Sequence, residues 1–197
     1  MYASDKMSAN LTTRLNQVLP KITSKDFLGG KGLGNEISFH IFDYPPENEL
    51  QIREHIQFLK DKIGKQHTDI KVLHINLFHF IIGHLKEKNI LEKSFSLEQK
   101  KGTSELLKAL KAPLKAENLV SLLRDTMHPE DYDLMIMDGV GSAWPLVRAH
   151  SLLNNLQPVM GDTPLVLYYP GNYDGQVLRL FGKIDSSNYY RAFRLVT

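Results

Sequence analysis

Four short apolar runs divide the chain, and residues with helical periodicity lie between them. These runs are too uniformly apolar for strands that keep one face in water, so they predict strands buried on both faces, as in a parallel sheet. The predicted strands cover residues 37–42, 70–77, 134–138 and 164–169. Strands that alternate with helices are the repeating unit of α/β proteins. We therefore predict a single α/β domain with a mostly parallel, helix-covered sheet.

Apolar residues recur at helical spacing on both sides of these strands. The spacing predicts helices over residues 8–19 and 47–63, and a third helix that ends near Asn89. After the third strand, Gly139 allows a tight turn, and Pro145 suits the first turn of a further helix because its missing N–H costs nothing there. This succession of strand, glycine turn and helix supports the α/β prediction.

Two regions depart from the alternation. Residues 91–127 are rich in Leu, Lys, Glu and Ala, and they predict two helices near 96–112 and 115–127, separated at a proline. Because this region lies between two predicted strands, we interpret it as a helical insertion or an extended crossover within the domain. Near the C-terminus, alternating residues predict a hairpin of two strands over 177–184 and 189–196.

Composition excludes several classes of protein. The chain has 197 residues, and its 24 Lys and Arg against 22 Asp and Glu leave a net charge of +2. A surface built for phosphate binding would normally carry a strong basic excess. The absence of cysteine excludes disulfides, cysteine-bound zinc and a thiol nucleophile. The N-terminus lacks the apolar core of a signal peptide, and no run approaches the roughly 20 apolar residues that cross a bilayer.

Known catalytic and cofactor-binding motifs are absent from the sequence. Glycines at positions 30, 32 and 34 precede a predicted strand, whereas a dinucleotide fingerprint follows a strand and opens a helix. The phosphate-loop motif GxxxxGK[ST] does not occur, HExxH does not occur, and the residues around Ser142 do not match GxSxG. His150 shares the apolar stripe of its predicted helix and is interpreted as a core histidine. We therefore predict no catalytic, metal-ligating or cofactor-binding residue, and no cofactor.

The carboxyl ends of the predicted strands are the place where a ligand would bind in an open parallel sheet. Asp43, Asp138, Tyr169 and Asn172 lie at or just beyond the ends of three of these strands, and they would converge if the strands are neighbours. Two carboxylates could hold a divalent cation or act as an acid and base pair. They could equally cap helices and hold turns, which is the interpretation we favour. These four residues form the candidate rim pocket.

Two surfaces are candidates for binding a partner. Aromatic and arginine residues dominate the energetics of protein interfaces, which points to Trp144, Arg148 and Tyr173 as a candidate partner surface. The lysines between residues 100 and 115 form the most basic stretch of the chain. They could contact nucleic acid, but no aromatic residues alternate with them to stack on bases, so a solvated helical face is favoured.

Four stretches of the sequence together resemble a known family. They are GNEISFHIFDYPPENELQIREHI, DLMIMDGVGSAWPLVRAHSLLNNLQ, PLVLYYPGNYDGQVLRLF and YYRAFRL. They are similar to the BrxB family of bacterial phage-exclusion (BREX) systems, long labelled a domain of unknown function. The resemblance extends from about Leu11 to the C-terminus, and residues 91–127 are its least distinctive part. The apolar run that ends in Asp138 is also similar to a Walker B strand, which would suggest a degenerate P-loop-NTPase-like core without a Walker A loop.

The resemblance implies a cytoplasmic component of a phage-defence locus. Its neighbours there would include a DNA methyltransferase, a large ATPase and PglZ, a protein with an alkaline-phosphatase fold. No established catalytic residues come with the resemblance. The missing phosphate loop, cysteines and histidine motif favour a non-catalytic subunit that binds another BREX protein, and the resemblance makes the PglZ-like protein the expected partner. The alternative is an enzyme, or a nucleotide- or metal-binding protein, that uses the acidic residues at the strand ends.

Overall fold

A seven-stranded sheet forms the centre of the protein. The computed structural model describes residues 2–29, 38–185 and 192–197, apart from the side chains of residues 2–9 and 185. The strands are β1 (Phe39–Tyr44), β2 (Val72–Asn76), β3 (Leu134–Asp138), β4 (Leu165–Tyr173), β5 (Leu178–Leu180), β6 (Ile184–Asp185) and β7 (Phe193–Arg194). The five strands of the main path lie in the order β2-β3-β4-β1-β7, and every neighbouring pair among them is parallel. β5 and β6 pair antiparallel, β5 with the end of β4 and β6 with β5.

Nine α-helices among the described residues cover both faces of the sheet. They are α1 (Tyr2–Ile22), α2 (Lys25–Leu28), α3 (Glu49–Gln66), α4 (Leu77–Glu87), α5 (Leu91–Lys101), α6 (Thr103–Leu110), α7 (Ala116–Met127), α8 (Val140–Ala143) and α9 (Ala149–Met160). Helices α1 to α3 pack on one face, which we call the α1 side. Helices α4 to α9 pack on the other face, which we call the α9 side. The predicted α/β class and mostly parallel sheet are therefore confirmed.

The side chains of each buried strand point alternately to the two faces of the sheet, so the core has two parts. In β3, Leu134 and Ile136 enter the core of the α1 side, whereas Met135 and Met137 enter the core of the α9 side. Ile136 is fully buried, as expected for a strand at the centre of a helix-covered sheet.

The end of β4 differs from the prediction. The sequence Tyr-Pro-Gly-Asn-Tyr predicted a turn after Tyr169, but the strand continues to Tyr173 because its last residues pair with β5. The predicted C-terminal hairpin is also wrong in its described part. β5 pairs with β4, and β7 lies parallel to β1 on the other side of the sheet path. Residues 186–191 lie outside the described part of the chain, as do the glycines at 30, 32 and 34.

Two helix predictions also need correction. The predicted helix at Pro145 does not begin there: α8 starts directly after Gly139, the chain turns, and α9 begins at Ala149. Gly139 has a φ of +72°, and its position favours glycine because an added Cβ would lie 2.6 Å from the Asn76 side chain. Residues 91–127 contain three helices instead of two, since Gly102, with a φ of +83°, separates α5 from α6. The interpretation of this region as an insertion stays a prediction.

Two histidines lie against aromatic rings of the α1 side. The His40 ring is 4.5 Å from the Phe27 ring and 5.7 Å from the Phe193 ring, measured between centroids. His55 of α3 lies 6.4 Å from the ring of Tyr168. Burial lowers the pKa of both histidines to about 4, and Lys21 contributes to the shift of His40.

These pKa shifts predict a loss of stability in mild acid. An unfolded histidine takes up a proton near pH 6.5, whereas the folded chain resists protonation of His40 and His55 down to about pH 4. Their contribution to stability is therefore complete above pH 6.5 and falls as the pH drops from 6.5 towards 4. Urea unfolding between pH 7.5 and 4 should show a smaller loss in the His40→Phe/His55→Phe double variant than in the wild type. The control is His79→Gln, because His79 is exposed. An equal dependence of the free energy of unfolding on pH in all three proteins would contradict the prediction.

Candidate functional site

The predicted rim residues lie at the carboxyl end of the sheet but do not converge as a group. Asp43 on β1 and Tyr169 on β4 are register partners. Asp138 follows Met137, whose side chain belongs to the α9 side, so the pleat directs Asp138 to the α1 side. Asp43 lies on β1 between Phe42 and Tyr44, and its carboxylate contacts Arg14 of α1 and the backbone N–H of Tyr173. The two carboxylates therefore have different neighbours: Asp43 contacts Arg14, Arg194 and the backbone of Tyr173, whereas Asp138 lies beside His74.

Asp43 joins three separated parts of the chain. Its carboxylate accepts a hydrogen bond from the Arg14 guanidinium at 2.7 Å and from the backbone N–H of Tyr173 at 3.0 Å. The guanidinium of Arg194 lies 3.5 Å from the same carboxylate, and Arg14 also donates to the backbone carbonyl of Asp43 at 2.8 Å. Asp43 is only 7% exposed. This arrangement fits a structural role that fastens α1, β7 and the end of β4 to β1.

Asp138 lies in a buried polar cluster on the α1 side, which comprises Asp138, His74, Tyr168 and Tyr44. One carboxylate oxygen of Asp138 lies 3.4 Å from Nε2 of His74. Within the described residues, neither of these atoms has a hydrogen-bond partner, and the buried hydroxyl of Tyr168 has none either. Burial is the main cause of the raised pKa values of Tyr168 and Tyr44, and Asp138 raises both further. Tyr44 donates its hydroxyl hydrogen bond to Glu49.

The unpartnered hydroxyl of Tyr168 predicts that its removal stabilises the fold. An unsatisfied buried polar group costs roughly 1–3 kcal/mol, so Tyr168→Phe should raise the free energy of unfolding by about 1–2 kcal/mol. Tyr44→Phe is the matched control, because it removes a hydroxyl that has a partner, and it should lower the same quantity. Urea denaturation of the three proteins measures both effects. A loss of stability in Tyr168→Phe equal to that in Tyr44→Phe would mean that this hydroxyl is hydrogen-bonded in solution.

A second feature, on the α9 side, is an open cleft of about 170 Å³. We call it the α9 cleft. Trp144, Arg148 and His150 border it from the turn before α9 and from the first turn of that helix, and Tyr169 borders it from β4. The wall formed by β5 and β6 is apolar and consists of Leu178, Leu180 and Ile184. The cleft therefore combines cationic, aromatic and aliphatic side chains.

Close backbone packing positions the two walls of the α9 cleft. A Cβ on Gly141 would lie 2.9 Å from Pro170 and 3.1 Å from the ring of Phe181, so glycine lets α8 approach β4. The rings of Trp144 and Phe181 meet edge to face, with 6.5 Å between their centroids. The peptide bond between Trp144 and Pro145 is cis. These contacts place Trp144 at the mouth of the cleft, where it is 40% exposed.

The α9 cleft carries positive charge without a matching acid. Arg148 is exposed, and it makes no ion pair with any residue that the structure describes. Burial lowers the pKa of His150, and the neighbouring Arg148 lowers it further. Burial also raises the pKa of Tyr169, so its hydroxyl stays protonated at neutral pH. None of the described residues that line the cleft is acidic.

The candidate partner surface is divided by the structure. Trp144 and Arg148 are exposed and border the same cleft. Tyr173, in contrast, is 1% exposed, because β4 continues through it, and its hydroxyl donates to the backbone carbonyl of Ala192 at 2.6 Å. Tyr173 therefore cannot belong to an exposed contact surface. Asn172 is exposed and pairs through its backbone with Arg179.

The remaining predicted features lie on the surface. The lysines between residues 100 and 115 are all exposed, and Lys108 forms an ion pair with Glu105. Among the described residues, no group of three or more histidines and acids has the arrangement of a metal site. No helix in the described ranges is long and apolar enough to span a membrane.

The fold and the α9 cleft define a three-layer α/β protein with a cationic, aromatic cleft at the carboxyl end of a parallel sheet. A family model described as BREX protein BrxB matches residues 73–195. A protein from Bacillus cereus (strain H3081.97), described as BREX protein BrxB, is 40% identical over 190 residues, which cover 94% of this chain and 97% of the relative. A protein of the same description from Escherichia coli O9:H4 (strain HS) is 43% identical over 186 residues, which cover 94% of this chain and 92% of the relative.

This chain belongs to the BrxB family, which confirms the resemblance inferred from its sequence. No solved structure matches the chain. The expected likeness to a degenerate P-loop core therefore has no structural support. The fold is assigned to the α/β class with a mostly parallel sheet.

Proposed function

We propose that this chain is a non-catalytic component of a BREX phage-defence complex and acts in the cytoplasm by binding another protein of the system. The family of the chain supports the role in phage defence, because both relatives are described as BREX proteins. The PglZ-like protein is the partner that we expect from the family resemblance. The single observation that carries the binding role is the exposed pair Trp144 and Arg148, which borders the α9 cleft.

Several features of the site favour binding over catalysis. Asp43, one of the two rim carboxylates, is held by Arg14 and by the backbone of Tyr173. The other rim carboxylate, Asp138, lies beside His74 and shares none of these partners, which does not favour an acid and base pair of the two. Trp and Arg, on the other hand, are the residues most enriched at the energetic centres of interfaces.

Affinity capture tests the proposed function. A tagged chain expressed from the complete defence locus should co-purify with at least one other product of the locus, and the PglZ-like protein is the expected one. The Trp144→Ala/Arg148→Ala double variant should retain little of it, while circular dichroism on the same samples shows an unchanged fold. A wild-type chain that captures no product of the locus would contradict the proposal.

The alternative is an enzyme or nucleotide-binding protein that uses the Asp138 cluster. One specific observation favours it: the buried oxygen of Asp138 and the hydroxyl of Tyr168 have no hydrogen-bond partner among the described residues, and unsatisfied polar groups are often found where function requires them. We expect negligible ATP hydrolysis by the purified chain, because the phosphate loop is absent. Steady hydrolysis that persists through purification and disappears in Asp138→Asn would support the alternative.

Nucleic-acid binding through the lysines of residues 100–115 is tested separately. The net charge of +2 gives no basic excess of the kind that phosphate binding requires. We expect only weak, salt-sensitive binding to a DNA duplex. Tight and salt-resistant binding that is lost when Lys100, Lys101 and Lys111 are changed to Gln would replace the protein-binding proposal.

A further inference from the structure

We infer that the α9 cleft receives an acidic side chain of the partner protein, flanked on the partner by an apolar residue. This inference rests on the proposed function, since it names the chemistry that the partner presents to the surface of Trp144 and Arg148. Three features of the cleft support it: its uncompensated cation, the start of α9, and the hydroxyl of Tyr169.

Arg148 supplies the cation. Its guanidinium has five N–H donors in a planar fork that matches a carboxylate. The side chain is exposed and has no acidic partner in the described chain. None of the described residues that line the cleft is an acid that could neutralise it. An incoming carboxylate would therefore find a cation that no neighbouring group already occupies.

The start of α9 supplies backbone donors beside Arg148. The first hydrogen bond of this 12-residue helix runs from the N–H of Leu152 to the carbonyl of Arg148, at 3.2 Å. The N–H groups of Ala149, His150 and Ser151 therefore have no acceptor within the helix. Arg148 occupies the N-cap position and makes no side-chain capping bond. Free N–H groups and the helix dipole both favour an anion at this position.

Tyr169 supplies a further donor to the cleft. The residue is 3% exposed and borders the cleft, and its hydroxyl has no hydrogen-bond partner among the described residues. The hydroxyl is not one of the fully enclosed polar atoms, so it faces the open space of the cleft, where a ligand can reach it. Because the raised pKa of Tyr169 keeps its hydroxyl protonated, it can donate a hydrogen bond to a carboxylate oxygen. Strand β4, not α9, positions this donor, so it is unrelated to the capping of the helix.

The size and the apolar wall of the cleft favour a protein side chain over a phosphate group. The volume of about 170 Å³ is below the roughly 300–1,000 Å³ of typical small-molecule sites. Leu178, Leu180 and Ile184 form one wall, and Ile184, the least buried of the three, offers a bare phosphate no hydrogen bond. An acidic residue beside an aliphatic one fits both halves of the cleft.

Trp144 offers a direct measurement, because it is the single tryptophan of the sequence and borders the cleft. The full chain is titrated with the blocked peptide acetyl-Leu-Glu-Leu-amide while the tryptophan fluorescence is recorded. The matched peptide acetyl-Leu-Gln-Leu-amide has the same shape without the charge. We expect a saturable change of emission with the glutamate peptide and an affinity at least about tenfold lower for the glutamine peptide, as for a hydrogen bond to a charged group.

Two substitutions test the assigned donors. Arg148→Gln removes the cation and Tyr169→Phe removes only the hydroxyl, and each should weaken binding of the glutamate peptide about tenfold. Arg148→Lys should retain part of the affinity, since it keeps the charge without the planar fork. Arg53→Gln is the control: Arg53 is an exposed arginine of α3, on the other face of the sheet, and its loss should leave the titration unchanged.

The outcomes separate this inference from the proposed function. No saturable change up to about 10 mM peptide, tenfold above a Kd of roughly 1 mM, would overturn the inference. Equal binding of the two peptides, or a stronger response to a short DNA strand than to either, would overturn it as well. If Arg148→Gln and Tyr169→Phe still capture the wild-type amount of partner, the assignment of the cleft fails while the proposed function stands. If the wild-type chain captures no partner, the proposed function itself fails.

Discussion

Replacing Gly171 with alanine is expected to lower the free energy of unfolding by more than about 4 kcal/mol, a loss that single substitutions rarely reach. A Cβ at this position would lie 2.1 Å from the backbone carbonyl oxygen of Arg179 and 2.9 Å from the backbone nitrogen of Phe181. Both are backbone atoms of the antiparallel neighbour, so no side-chain rotation relieves the overlap. The φ of +154° at Gly171 is also unfavourable for a residue with a side chain. The pairing of β4 with β5 would have to open.

Two other glycines are controls for this experiment. Gly175 has a φ of +99° and no heavy atom within 4 Å of an added Cβ, so Gly175→Ala measures backbone strain without a clash and should cost about 1–3 kcal/mol. Gly64 lies inside α3 with open space around it, and Gly64→Ala should be neutral or stabilise by up to about 1 kcal/mol. Urea unfolding gives the three values. Equal losses for Gly171→Ala and Gly175→Ala would mean that the two strands are farther apart in solution.

The same substitution connects the fold to the α9 cleft. β5 supplies Leu178 and Leu180 to the apolar wall, and its position depends on the close approach at Gly171. A variant that opens this pairing should therefore lose peptide binding even where residual folded protein remains. Loss of binding without loss of α-helix in circular dichroism would locate the damage at β5.

The sequence predicted the strands of the central sheet well, because uniformly apolar runs have few alternatives to burial on both faces. The run that ends at Met137 illustrates this, since all five residues of β3 are buried. The neighbours of each strand-end acid were not predictable in the same way. Asp43 and Asp138 both close apolar runs, and only the folded chain shows that Asp43 meets Arg14 and Tyr173 while Asp138 meets His74.

The end of β4 was mispredicted because long-range contacts override a local turn signal. Pro170, Gly171 and Asn172 have strong turn propensities. The backbone N–H of Tyr173 nevertheless donates to Asp43, which is 130 residues away in the sequence, and this contact holds the strand extended. Long-range contacts also explain why only part of the α9 cleft was predicted. Trp144 and Arg148 are conspicuous as residue types, whereas Leu178, Leu180 and Ile184 become neighbours of α9 only through the β4–β5 pairing.

A large loss of stability is also expected when Asp43 is replaced. Asp43→Ala should lower the free energy of unfolding by about 3–5 kcal/mol, because it leaves the buried guanidinium of Arg14 without its acidic partner. The side chains of Arg14 and Asp43 are only 13% and 10% exposed. The backbone N–H of Tyr173 would lose its acceptor as well, since it donates to the same carboxylate. The exposed pair of Glu105 and Lys108 is the control, and Glu105→Ala should change stability little.

A double-mutant cycle shows whether the effect of Asp43 is structural. Asp43→Ala combined with Arg14→Met removes the stranded charge together with the acid, so the double variant should be more stable than Asp43→Ala alone. Arg194 still lies near the site, which limits the recovery. If Asp43→Ala instead lowers the free energy of unfolding by less than about 1 kcal/mol, as at tolerant surface positions, Asp43 does not fasten α1 and the end of β4 to β1. Loss of phage defence in such a stable variant would then assign Asp43 a role in binding or chemistry at the rim of the sheet.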